Sequence, residues 1–442
     1  MKSVCKGLAV LATMILAHGV QAQQINRLVS VEAAGQPPPV EPGDNDEPAL
    51  AQNGRLVVFS STAAYLVAGD NNGSSDIFLR DMLTQATTRL SIGVGGAEAD
   101  SDSEGPVISE DGRYVAFLSW ASNLVAGIDD GHRHVYLLDR ATGQISLQDR
   151  NSDGTPASYN ATPPMAISPN GRYLAFASFS SDLVDDDTNG RQDIFVRNIQ
   201  AGTTVRASLS GTGAQISSDA EQPAISDDGR FVAFVTAAPE LGGSGDYDVF
   251  LRDVQQGTTS WVSRAPDGAI AGDNTHPHVS ADGRRIAFRT PYRYDPDNQG
   301  PVNSYDIYVY DRLASTYTWA SPHGMDSADA WDSFALSADG RFVAYEGVFT
   351  DQDGGAWELV YRHDLLSGQT VPVTQANAGG TTHLVYANTP AISYHGNAIA
   401  FVSDESTVVP GAGNGHDAVY HWGPSDIRDL DHVFTDGFDP PQ

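Results

Sequence analysis

Ile225-Ser-Asp-Asp-Gly-Arg230, followed by Phe231-Val-Ala-Phe-Val235, is the stretch from which the fold is read. A polar turn closed by Gly229 and Arg230 separates two apolar runs, which predicts two strands joined by a tight hairpin. Glycine supplies the positive φ that such a turn needs, and an Asp or Asn beside it tolerates the same backbone region. Further on, Asp248-Val-Phe-Leu-Arg-Asp253 reads as a third strand and Thr258-Thr-Ser-Trp-Val-Ser263 as a fourth.

This four-stranded unit recurs. The turn glycines are Gly54, Gly112, Gly171, Gly229, Gly283, Gly340 and Gly396, spaced 54 to 59 residues apart. Arg follows the glycine in six copies, and Asn397 takes its place in the last. The third strands are expected to open at Asp76, His134, Asp193, Asp248, Asp306, Glu358 and Asp417. Seven units of four short strands with almost no helical pattern predict an all-β chain, a seven-bladed β-propeller. The last unit has no fourth strand after Asp417–His421, whereas Ile25–Val31 reads like one and aligns with Thr88–Ile92. That N-terminal strand is expected to complete the seventh blade and close the ring, removing free edges.

The turn, its following strand and the Asp-Ile-Phe-Leu-Arg-Asp type of third strand resemble the WD40-like repeat of TolB-type propellers over roughly residues 25–423. The resemblance implies a propeller that serves as a periplasmic scaffold or as the non-catalytic domain of a larger peptidase. Fold alone does not choose between these roles.

Residues 1–22 read as a secretory signal peptide. Lys2 and Lys6 form the positive start, Leu8 to Leu16 the apolar core, and Val20-Gln21-Ala22 a small-residue cleavage site. The one cysteine, Cys5, lies inside it, so a mature chain has neither disulfide nor thiolate chemistry. The expected organisation is therefore a signal at 1–22, a propeller at 23–424 and a tail at 425–442. In that tail, Val433-Phe-Thr-Asp-Gly-Phe-Asp439 is similar to a short ending of exported Gram-negative proteins. The formal charge of −31 repels nucleic-acid phosphates and anionic membranes, and it suits basic partners or divalent cations. The expected partner is an envelope or secreted protein or peptide, bound by a monomer without nucleic-acid binding or stable membrane insertion.

Two places are candidates for chemistry. Asp185, Asp187, Asn189, Asp193 and the carbonyl of Arg191 have the spacing with which a Ca²⁺ loop wraps a hard cation, Gly190 making the turn. The same residues also suit an ordinary Asn-Gly turn with solvated acids. The second place lies eight residues before each turn glycine, at Asp46, Glu104, Pro163, Glu221, Thr275, Asp332 and Asn388. With first strands lining the channel, these positions ring one mouth, where carboxylates hold a cation or a basic segment. His276 and His278 in the fifth copy add a possible pair of metal ligands, although two ligands do not make a site.

The serine-hydrolase elbow, the zinc-protease helix, the P-loop and the dinucleotide fingerprint are all missing from the sequence. The sequence thus favours a non-catalytic binding or scaffold module. A metal-dependent lyase or hydrolase inside the channel and a calcium-stabilised surface component remain as alternatives.

Overall fold

The computed structural model describes residues 24–31, 44–265, 272–294, 305–322, 334–350, 356–374, 387–404, 408–409 and 417–426. The signal segment, most of the tail and Asp332 lie outside the described residues. No helix among the described residues is long and apolar enough to cross a membrane.

Seven antiparallel sheets of four strands each form seven blades. In blade 4 the strands are Ala220–Ile225, Phe231–Thr236, Asp248–Asp253 and Thr258–Trp261, running outward from the axis in that order. The inner strands touch one another in cyclic order, blade 7 meeting blade 1, so the ring is closed. The second and third strands are buried along nearly their whole length, which is why they read as continuous apolar runs rather than alternating ones.

Closure is as expected. Gln24–Leu28 pairs with Ala418–Pro424, with Leu28 opposite Tyr420. Ser30 Oγ accepts the Val419 N–H, as Ser91 Oγ accepts that of Ile77 in blade 1, which fixes the N-terminal segment as the true fourth strand.

The expected register fails by one residue in the last two blades. Gly347 pairs with Leu359 and Ser403 with Ala418, so these residues, not Glu358 and Asp417, stand where Asp76 stands in blade 1. In blade 6 the other end of the strand sets the register, because Asp364 is the residue that Arg341 grips. The same grip holds in blades 1, 2, 4 and 5 through Arg55–Asp81, Arg113–Asp139, Arg230–Asp253 and Arg284–Asp311. These pairs tie the second strand to the end of the third within each blade, as a two-pronged guanidinium can.

Phe59, Phe117, Phe176, Phe234, Phe288, Tyr345 and Phe401, five residues past each turn glycine, are all fully buried. Six lie over an aromatic ring of their own third strand, Phe59 on Phe78 at 5.8 Å between centroids and Phe401 on Tyr420 at 5.7 Å. Each such ring contributes roughly 1.5–3 kcal/mol by leaving water.

The turn glycines do more than turn. A Cβ on Gly171 would lie 2.6 Å from Tyr114, one on Gly229 2.5 Å from Tyr173, and one on Gly396 2.3 Å from Phe342. In each case the ring belongs to the residue two places past the glycine of the preceding blade. Glycine is thus required twice, for its φ near +70° and for the approach of one blade to the next.

Candidate functional site: the two channel mouths

The inner strands begin at one mouth of the channel and turn back at the other. At the strand-entrance mouth, the pairing of first with second strand shifts register just after Asp46, Glu104, Thr162, Glu221, Thr275 and Asn388. The extra residue of each bulge carries a positive φ: Glu47 52°, Gly105 61°, Gln222 55°, His276 55° and Thr389 45°. In blade 3 the cis Pro163–Pro164 bond occupies this place. Four of these five are not glycine, and a side chain in this backbone region costs on the order of 1–3 kcal/mol, so such strain concentrates where geometry matters.

The bulges connect blades. Glu47 carboxylate accepts the Gly105 N–H at 2.6 Å, and Gln222 Oε1 accepts the His276 N–H at 2.7 Å. Asp46 accepts the Glu47 N–H at 2.8 Å. Burial raises the carboxyl pKa of both residues. Glu47 is raised further by the charges of Asp46 and Glu104, so three carboxylates of two blades share one electrostatic site.

The expected acidic ring is therefore partly assembled and partly neutralised. Glu104 is paired with Arg133, whose guanidinium lies 4.6 Å from the Trp120 ring. Glu221 faces Tyr247, whose hydroxyl pKa its charge raises. The two histidines reach opposite neighbours. His276 meets Gln222 of blade 4 at 3.0 Å, whereas the His278 ring packs 4.8 Å from that of Phe334 in blade 6. Burial, with help from His276, pushes the His278 pKa down to about 4, which keeps that imidazole neutral.

The loop expected to bind calcium lies within the described residues. Asp185 and Arg191 are exposed, whereas Asp187 and Asp193 are buried. Between the buried two stands Arg206, 3.1 Å from Asp187 and 3.4 Å from Asp193. Asn189 turns its amide nitrogen, not its oxygen, toward Asp193 at 3.1 Å, and Ser208 also donates to Asp193. A guanidinium thus stands between two of the carboxylates that the spacing assigned to a cation. Blade 1 repeats the cluster with Asp70, Asp76 and Arg89. Among the described residues, no group of three or more His, Cys, Asp or Glu is placed to hold a metal ion.

The second mouth, at the inner hairpin turns, was not singled out from the sequence. Here the turns hydrogen-bond to one another around the axis: Gln52 N–H to Glu110 O, Glu110 N–H to Pro169 O, Asp227 N–H to Ala281 O, Ala281 N–H to Ala338 O and Asp339 N–H to Tyr394 O, at 2.7–3.1 Å. Pro169 has no N–H to pass on, and there the Asp227 carboxylate accepts the Asn170 N–H at 2.6 Å instead. Gln52, Glu110, Pro169, Asn170, Asp227 and Tyr394 are among the residues that line an open cavity of about 550 Å³ here. Burial pushes the Glu110 carboxyl up to about 7 against the pull of the Asn53 N–H and of His395. The residue two places before each turn glycine varies along the chain (Gln52, Glu110, Pro169, Asp227, Ala281, Ala338 and Tyr394), so the repeat does not mark it as a site.

Neither a family model nor a curated protein sequence matches the chain. Solved structures do. An oligogalacturonate lyase in complex with manganese is 14% identical, with 92% of this chain and 98% of that one covered at a TM-score of 0.56. The β-propeller domain of the Trilobed protease from Pyrococcus furiosus is 12% identical, with 86% and 93% covered at 0.51. The shared property is the propeller. A TolB from Acinetobacter baumannii also matches, at 13% identity, with 80% and 67% covered and a TM-score of 0.42. At such identities the likeness is one of fold, and propellers host both binding modules and enzymes.

Proposed function

We propose that this chain is an exported, monomeric and non-catalytic binding module, which holds a basic segment of an envelope or secreted protein at the strand-entrance mouth of its channel. The observation that carries the reading is the bulge ring. Residues of several blades adopt left-handed backbone at one level of the channel, and this brings Asp46, Glu47 and Glu104 close enough to raise the Glu47 pKa. Carboxylates held together against their mutual repulsion gain when a cationic group arrives. The closed ring supplies the rigidity that lets such a site bind without first being ordered.

The test uses the chain lacking residues 1–22 and a variant carrying Asp46→Asn, Glu47→Gln and Glu221→Gln. Capture of a specific envelope protein is expected to weaken with added salt and to be lost in the variant. A salt-insensitive capture, equal in both proteins, would remove the strand-entrance mouth as the site. Turnover of acidic oligosaccharides by the wild type would instead favour a channel enzyme.

A further inference from the structure

The turn-end mouth has a different composition and asks for a different ligand. Its cavity has Glu110, Asp227 and Tyr394 in its wall, contributed by blades 2, 4 and 7. Tyr394 stands in the combined field of Asp227, Asp339, Glu110 and Asp282, four carboxylates from four blades. Most of the arginines that follow the turn glycines do not answer this charge. Arg113, Arg230, Arg284 and Arg341 all bind the aspartate that ends their own third strand. The basic groups that do act here are His395, which faces Glu110 and lies 3.4 Å from Asp339, and Arg172, which acts on Asp227. Next to Glu110, the fully buried Asn53 carboxamide has neither its oxygen nor its nitrogen bonded by the protein.

We propose that this cavity is a binding site for a primary ammonium group carried on an aliphatic stem. The carboxylates of Glu110 and Asp227 supply the charge, the Tyr394 ring supplies an aromatic wall that favours a cation, and the apolar part of the lining takes the stem. A lysine side chain of a partner and a free diamine share this chemistry. The site is separate from the strand-entrance mouth and does not depend on the function proposed there.

The experiment is calorimetric titration of the folded chain with pentylamine, and with pentanol as the neutral molecule of the same shape. Binding of the amine and not of the alcohol is expected at pH 8. A loss of about tenfold or more is expected in Glu110→Gln/Asp227→Asn, with no loss in Asp46→Asn/Glu47→Gln at the other mouth. Because an empty site leaves Glu110 partly protonated near pH 7, wild-type affinity is expected to fall more steeply between pH 8 and pH 6 than that of the Glu110→Gln single variant. The groups facing Glu110 and Asp227 through this range are Asp111, Asp228, His395, Arg172 and Tyr394. Comparison of cadaverine with a lysine-bearing pentapeptide then distinguishes a free diamine from a protein side chain. Equal binding of amine and alcohol, an unchanged affinity in the double variant with its circular dichroism intact, or no heat at about 10 mM amine would each overturn the proposal.

Discussion

Gly229 approaches the ring of Tyr173 in the preceding blade so closely that a Cβ on the glycine would lie 2.5 Å from Tyr173 Cγ. Its φ is +70°, so the position refuses a side chain on two separate grounds. Gly202 has nearly the same φ, +67°, but the nearest atom to its missing Cβ is an Arg197 nitrogen at 3.6 Å. The pair separates the two costs. Gly202→Ala is expected to lose about 1 kcal/mol, the backbone penalty alone, and Gly229→Ala about 3 kcal/mol or more, measured by urea unfolding. Equal losses would mean that the blades slide apart without cost.

Glu110 gives the turn-end mouth a pH signature. Its carboxyl sits at about 7 in the folded chain against 4.5 for a free glutamate. The folded state therefore holds the proton more tightly, and this group's contribution to stability falls as pH rises from about 4.5 to about 7. Glu110→Gln keeps an acceptor for the Asn53 N–H and never carries the charge. The variant is expected to match wild type at pH 4.5 and to be more stable at pH 8 by about 1–3 kcal/mol, which paired denaturation curves at the two pH values will read.

Arg206 lies between two buried carboxylates, with its own side chain 6% exposed. Arg206→Ala is expected to cost about 3–5 kcal/mol, since it leaves Asp187 and Asp193 buried without a counter-charge. Wild-type Tm is expected to be the same with calcium and with chelator, whereas the variant, with its carboxylates unmasked, is expected to gain a calcium-dependent rise. A calcium-dependent wild-type Tm would return the loop to the cation reading.

Removal of residues 24–31 takes away the outer strand of blade 7 and bares the edge of Ala418–Pro424. An unpaired edge of this length is a template for another chain. The truncated protein is expected to elute as concentration-dependent oligomers in size-exclusion chromatography, while the full ring elutes at one volume.

Much of this was legible because a propeller repeats its instructions. Seven turn glycines gave blade count and hairpin position, and Ile25–Val31 gave the closing strand. What escaped was whatever depends on a neighbour. The one-residue slip in blades 6 and 7 went unseen because Glu358 and Asp417 are acidic residues adjacent to the true positions, Leu359 and Ala418. The bulges were hidden because Glu47, Gln222 and Thr389 do not look like left-handed residues, and the contacts that Glu47 and Gln222 make lie on the adjacent blade. At the loop of Asp185 the acidic spacing was legible, whereas Arg206, which lies between Asp187 and Asp193, stands on the next strand and carries no mark in the loop itself.

The pairing of the first described strand with the last also sets an order of events. Arg27 bonds to the carbonyl of Pro424, 397 residues further along the chain. On a ribosome, each of the first six blades can form as soon as its own four strands have emerged. The strand made earliest, however, must wait without its neighbour until nearly everything else exists. So long a closure makes the final step slow and leaves that strand free to pair wrongly in the meantime. Until the seventh blade forms, the first strand is therefore the one left longest without its partner, although in the finished molecule it is the clasp.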